Sequence, residues 1–169
     1  SGVSPLGGED GAPSEWHERD GYFETNVGTG DLRPSGEMDG EGEQMGDCHL
    51  HLEWRVPEDL GESGTVDEPL GNSGIFMMQR YEIAIHNNND VESQPDKTAG
   101  SYYASDPPLS LPIRPVGEWQ EFDIIWRVPR FDDDNNLLRH PMLTMFFNGV
   151  CVNAHLDVLG PNWGPDGAR

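Results

Sequence analysis

Lysine is almost missing from this chain of 169 residues: Lys97 is the only one, and Lys and Arg together number 10 against 31 Asp and Glu. The resulting formal net charge of -21 repels phosphate backbones and anionic lipid, which argues against nucleic acid as a partner. Apolar runs long enough to span a bilayer are absent, as is a basic stretch followed by an apolar one at the start, so no membrane insertion is expected. Cysteine is limited to Cys48 and Cys151, too few for a disulfide framework. Both fall in segments that read as strands. A bridge between them requires those strands to be neighbours, and two buried free thiols are the alternative. Also lacking are an Asn-x-Ser/Thr acceptor, a Gly-x-Ser-x-Gly elbow and a glycine loop that could cradle phosphate, so N-glycosylation, serine nucleophiles and nucleotide binding find no support. No segment carries an apolar stripe at helical spacing.

What the chain does hold is alternation. In Cys48-His49-Leu50-His51-Leu52-Glu53-Trp54-Arg55 the apolar residues share one strand face, and His49, His51, Glu53 and Arg55 share the other. Tyr81 to His86 repeats the scheme, with Tyr81, Ile83 and Ile85 opposite Glu82, Ala84 and His86. If both strands belong to one sheet, their Glu and His residues make a polar cleft. Strand signals cover 47 to 56, 74 to 86, 119 to 128, 142 to 148 and 150 to 156, with short strands near Trp16 and Tyr22-Phe23-Glu24. Asn148-Gly149 is the clearest hairpin turn, because both residues accept positive φ. The 21 Gly and 14 Pro lie mostly between these runs. The pattern predicts an all-β protein, a two-sheet antiparallel β-sandwich of jelly-roll type. Residues 1–14 read as a flexible tail or linker, 15–162 as the jelly-roll domain and 163–169 as a C-terminal tail.

A series of motifs runs in order along the chain: Gly28-Thr29-Gly30-Asp31-Leu32, Gly46-Asp47 through Val56-Pro57, Gly71-Asn72-Ser73-Gly74-Ile75-Phe76, Arg80-Tyr81-Glu82-Ile83, Pro107-Pro108, Gly117-Glu118-Trp119-Gln120, Asp123-Ile124, Pro129-Arg130-Phe131-Asp132 and Asn148-Gly149-Val150. In these the chain resembles the 3-keto-disaccharide hydrolase family, formerly a domain of unknown function, from about Trp16 to Pro161. The resemblance implies a concanavalin A-like jelly roll, a carbohydrate partner and a secreted or cell-surface location. The chain departs from the family at Ala84, where a Gln is usual, and at His86-Asn87, where a Leu-Asp pair is usual.

Glycosidic cleavage commonly employs two carboxyl groups, one as acid and one as base or nucleophile. Glu53 and Glu82 are the candidate catalytic pair; the alternative is that each is held in a structural ion pair, with Arg55 and Arg80. Arg55, Asn72, His86, His51 and Tyr103 are the candidate substrate-binding residues, by hydrogen bonds to hydroxyls or, for Tyr103, by stacking on a sugar face. Trp119 offers a similar ring. His49, His51, His86 and Glu53 also have the chemistry of a transition-metal set, although hydrogen-bonding histidines suit the pattern better and no metal ligand is assigned. No cofactor is expected; calcium stays possible but unplaced among Asp31, Asp39, Glu41 and the Asp132–Asn136 segment, the last of which reads as a solvated turn. The expected function is an extracytoplasmic carbohydrate-active domain that cleaves or binds a glycoside. A non-catalytic glycan-binding or assembly module is the alternative, favoured by Ala84 and Asn87.

Overall fold

The computed structural model describes residues 3–5, 16–25, 32–34, 46–60, 70–87 and 95–163. Its strands are β1 (Val3–Pro5), β2 (His17–Glu18), β3 (Phe23–Glu24), β4 (Leu32–Pro34), β5 (Cys48–Trp54), β6 (Leu70–Met77), β7 (Tyr81–Asn87), β8 (Gln120–Arg127), β9 (Arg130–Phe131), β10 (Leu137–Arg139), β11 (Met142–Phe147) and β12 (Val150–Asp157). Only two short 3-10 turns, Glu58–Leu60 and Pro95–Lys97, interrupt this all-β pattern among the described residues. The chain divides into two compact units, Ser1–Gln44 and Met45–Arg169. In the first, β1 pairs with β4 and β2 with β3, both antiparallel. The tail expected over residues 1–14, the acidic loop carrying Asp31, Asp39 and Glu41, and residues 164–169 fall largely outside the described residues.

The second unit is a jelly-roll-like sandwich. One layer is an antiparallel sheet in the order β12-β11-β8-β5, and the other is built on the β6-β7 hairpin. A chain segment beyond β7 lines that hairpin, with the Ala84 amide donating to the Ser101 carbonyl and the Tyr103 amide to that of Glu82. Apolar residues of both layers enter a single core. Phe122, Ile124, Leu143, Met145, Phe147 and Val152 from the large sheet are fully buried, and Met77, Tyr81, Ile83 and Tyr102 meet them from the other side. Tyr81 and Trp126 approach to 5.2 Å between ring centres, which joins the layers directly. Phe122 meets Phe147 edge-on at 4.7 Å. Each such buried ring contributes about 1.5–3 kcal/mol through area removed from water.

Two turns show what local chemistry does. Asn148 and Gly149 both have positive φ, 48° and 77°, as a type I′ turn between β11 and β12 requires. The Asn148 side chain also donates to the Pro112 carbonyl and to Gln120 Oε1, both at 2.8 Å, and accepts from the Glu121 amide at 2.9 Å. The stretch 74 to 86, read as one strand, is instead a hairpin that turns at Met78 and Gln79, with φ of 52° and 60°. Neither residue favours the left-handed region, so the turn is imposed by the packing of its flanking strands rather than by turn chemistry.

Of the two readings of the cysteines, the free thiols hold. Cys48 and Cys151 are free and half-buried. They sit on the two edge strands of the large sheet, three strand spacings apart, or ~14 Å, far beyond the reach of a bridge.

Candidate functional site

Antiparallel pairing of β5 with β8 brings a group of titratable side chains onto one surface. The register runs from Cys48 opposite Trp126 to Trp54 opposite Gln120, so that His51 faces Asp123, Glu53 faces Glu121 and His49 faces Ile125. Apart from Ile125, which is 42% exposed on the outer face, both strands send their apolar members into the core. Their polar members therefore share the outer face of the sheet.

On that face two imidazoles lean on one oxygen. His51 Nδ1 lies 2.9 Å and His49 Nε2 3.1 Å from Asp123 Oδ1. An ionised carboxylate only accepts, so Nδ1 of His51 carries the proton and Nε2 presents a lone pair. The hydrogen bond to Asp123 holds the His51 imidazolium pKa above its ordinary value, and the same bond, followed by that from His49, holds the Asp123 carboxyl below its own. A carboxylate that orients an imidazole and stabilises its protonated form is a general acid–base arrangement. An open hollow of about 320 Å³ adjoins the His49 end of the row, lined by Asp47, Cys48, His49, Ile125, Trp126 and Arg127.

The proposed pairing of Glu53 with Glu82 is not what the fold produces. The two glutamates belong to different sheets, since β5 pairs with β8 and β7 with β6. Because β5 and β7 both turn their apolar faces to the shared core, Glu53 and Glu82 point outward from opposite layers. Glu53 is exposed. Glu82 is 7% exposed, and its Oε2 accepts from Trp163 Nε1 at 2.6 Å. Its carboxyl lies over Gly74, where a Cβ would come within 2.6 Å of Oε1.

The substrate-binding candidates are divided in the same way. His51 lies with Glu53 on β5, and Arg55 just beyond its end. Arg55 does not pair with Glu53; its guanidinium lies 5.1 Å above the half-exposed Trp119 ring. His86 is on the other layer, 2% exposed, with its Nε2 donating to the Lys97 carbonyl and its Nδ1 buried without a partner. That separation also breaks up the metal set of His49, His51, His86 and Glu53. Asn72 is exposed in β6, in the stretch between Leu70 and Ser73 where the register to β7 shifts. Tyr103 is half-buried beside Glu82, and its carbonyl accepts from Asn162 Nδ2 at 2.9 Å. Asp132, in the loop considered for calcium, accepts from the amides of Asp134 and Asn136 and from Asn136 Nδ2, which defines a tight turn.

Asp123 and Glu121 were not among the sequence candidates. Their alternation with Phe122 and Ile124 is as regular as that of β5, but only the strand pairing shows that the two polar rows are one surface. Trp163 and Asn162 were also missed, lying at the edge of an expected tail.

The chain matches the family described as the 3-keto-alpha-glucoside-1,2-lyase-like domain over residues 7–165. The chain belongs to this family. Among solved structures it resembles a protein of Parabacteroides distasonis ATCC 8503 provisionally designated a glycosyl hydrolase, with a TM-score of 0.76 and 30% identity. That likeness covers 95% of this chain and 63% of the other, so the chain spans less than two thirds of that protein's length. No curated protein matches the chain. Within the family, the Ala84 and His86-Asn87 departures fall on β7, whose outer face is buried, whereas the acid–base row falls on β5 and β8.

Proposed function

We propose that the chain is a carbohydrate-active domain that works on glycosides oxidised at C3, by removing the proton next to the ketone. Family membership supports a carbohydrate-related function. The choice of chemistry rests on one observation: the exposed His51–Asp123 pair is formed, while Glu53 and Glu82 occupy separate layers. Hydrolysis by Glu53 and Glu82 needs them within one site, about 5–9.5 Å apart. Elimination does not. A 3-keto group acidifies the hydrogen at C2, and a single base suffices. His51 Nε2 takes that proton, the C2–H electron pair becomes the C1–C2 double bond, the C1–O bond breaks, and the departing oxygen takes a proton back from the His51 imidazolium or from water to leave as the aglycone alcohol. An extracytoplasmic setting fits the acidic, lysine-poor composition.

The test is release of aglycone from ordinary and 3-oxidised glucosides by the purified chain. Release confined to the oxidised substrate supports the reading; release from ordinary glucosides, or none, contradicts it. A second reading, glycan binding without turnover, draws on the exposed Arg55–Trp119 stack as a sugar platform. Binding to immobilised glycans, weakened by Trp119→Ala and accompanied by no product, identifies that case.

A further inference from the structure

We propose that the outer face of the large sheet binds a divalent transition-metal ion, zinc being the best match, through His51, Asp123 and Glu121. The proposal stands on the geometry of this face and does not require that the chain be an enzyme.

Each of His51, Glu121 and Asp123 offers one ligand atom, and all three atoms lie within 4.8 Å of one another. Tetrahedral ligands at ~2.1 Å from zinc stand ~3.4 Å apart. The distance of His51 Nδ1 to Asp123 Oδ1, 2.9 Å, is already close to that spacing. The ion takes the place of the proton shared between imidazole and carboxylate. The two-residue offset of Glu121 from Asp123 keeps it on the same face.

Charge makes the same point independently. Glu53 stands directly opposite Glu121, a like-charge pair that destabilises a sheet, with the Asp123 carboxylate beside them. Among the described residues neither Glu53 nor Glu121 joins an ion pair; Arg55 is turned to Trp119 instead. Three carboxylates without a lysine or arginine to offset them form a patch that a dication relieves. Imidazole nitrogen together with carboxylate oxygen suits zinc better than the all-oxygen preference of calcium or magnesium. An ion held by three protein ligands keeps a position open, and water bound there has its pKa lowered to near 7. If the proposed carbohydrate reading holds, such a water would serve as the proton acceptor in the metal-bound state, where His51 ligating through Nδ1 carries its proton on Nε2.

Calorimetric titration of the chelator-treated full chain with zinc chloride near neutral pH, with calcium chloride in parallel, tests this. The expected result is one zinc per chain in strong preference to calcium, weakened at least ~10-fold in His51→Gln, Asp123→Asn and Glu121→Gln and unchanged in His17→Gln. Circular dichroism identifies any variant that fails to fold, and the other two then carry the test. Absence of zinc binding, or binding that survives the His51→Gln/Asp123→Asn pair, overturns the proposal. Zinc binding without glycoside turnover, or turnover in chelator-treated protein that binds no zinc, separates the fate of this site from that of the carbohydrate reading.

Discussion

Truncation of Glu82 tests whether that residue holds the fold rather than forms part of an accessible working surface. In Glu82→Ala the indole N–H of Trp163 loses a charged acceptor 2.6 Å away, at a site only 7% exposed. A hydrogen bond to a charged group is worth about 1.5–3 kcal/mol, and the methylene lost from a buried position about 0.8 more, which gives a destabilisation of about 2.5–4 kcal/mol. With a urea dependence of about 2 kcal/mol per molar for a domain of this size, the midpoint falls by about 1–2 M. Glu53→Ala, on an open face and opposite another carboxylate, leaves the midpoint within scatter or raises it. Urea denaturation followed by tryptophan fluorescence reads both. Equal, small effects of the two substitutions refute the assignment of Glu82 to a packed structural role, because a side chain facing open solvent would lose nothing on truncation.

Asn148→Gly keeps the positive φ of the β11-β12 turn but deletes the three hydrogen bonds to Pro112, Gln120 and Glu121, so a loss of about 2–4 kcal/mol is expected in the same assay. A neutral outcome shows that the turn conformation alone carries that corner. The pH dependence of stability has two opposed histidine contributions. Burial holds the His86 pKa below 6.5, against the pull of the Lys97 carbonyl, so the unfolded chain takes up a proton first and stability falls as pH drops from about 6.5 toward the folded value. His51, whose pKa is raised by Asp123, contributes stability that is complete below about 6.5 and lost as pH rises through its folded value. In His51→Gln the urea midpoint therefore declines on acidification below about 6.5, with less loss on the alkaline side than in the parent chain. A midpoint that rises on acidification in this variant contradicts the buried, neutral state of His86.

The fold was largely legible because alternation reports directly on burial. Leu50, Leu52 and Trp54 in β5 and Phe122, Ile124 and Trp126 in β8 are turned to the core as their spacing indicates, and Asn148-Gly149 takes the turn its residue types prefer. Strand order was not legible. Alternation places Glu53 and Glu82 each on an outer face but carries no information on which strand pairs with which, and two strands with similar patterns were assigned to one sheet when they lie in two. The Met78-Gln79 turn gave no signal, since neither residue has the backbone freedom that marks a turn in sequence. Asp123 was hidden for the same reason as the strand order: a carboxylate on a regular strand gains meaning only when His51 is known to lie opposite.

The most direct measurement is the rate of aglycone release from a 3-oxidised glucoside by the parent chain, Asp123→Asn and Glu82→Gln, each checked for folding. The account predicts release by the parent, a loss of about 10²- to 10⁴-fold in Asp123→Asn through the disabled His51 base, and a rate near that of the parent in folded Glu82→Gln. A parent chain that releases nothing, or release that survives in Asp123→Asn and disappears in folded Glu82→Gln, contradicts it.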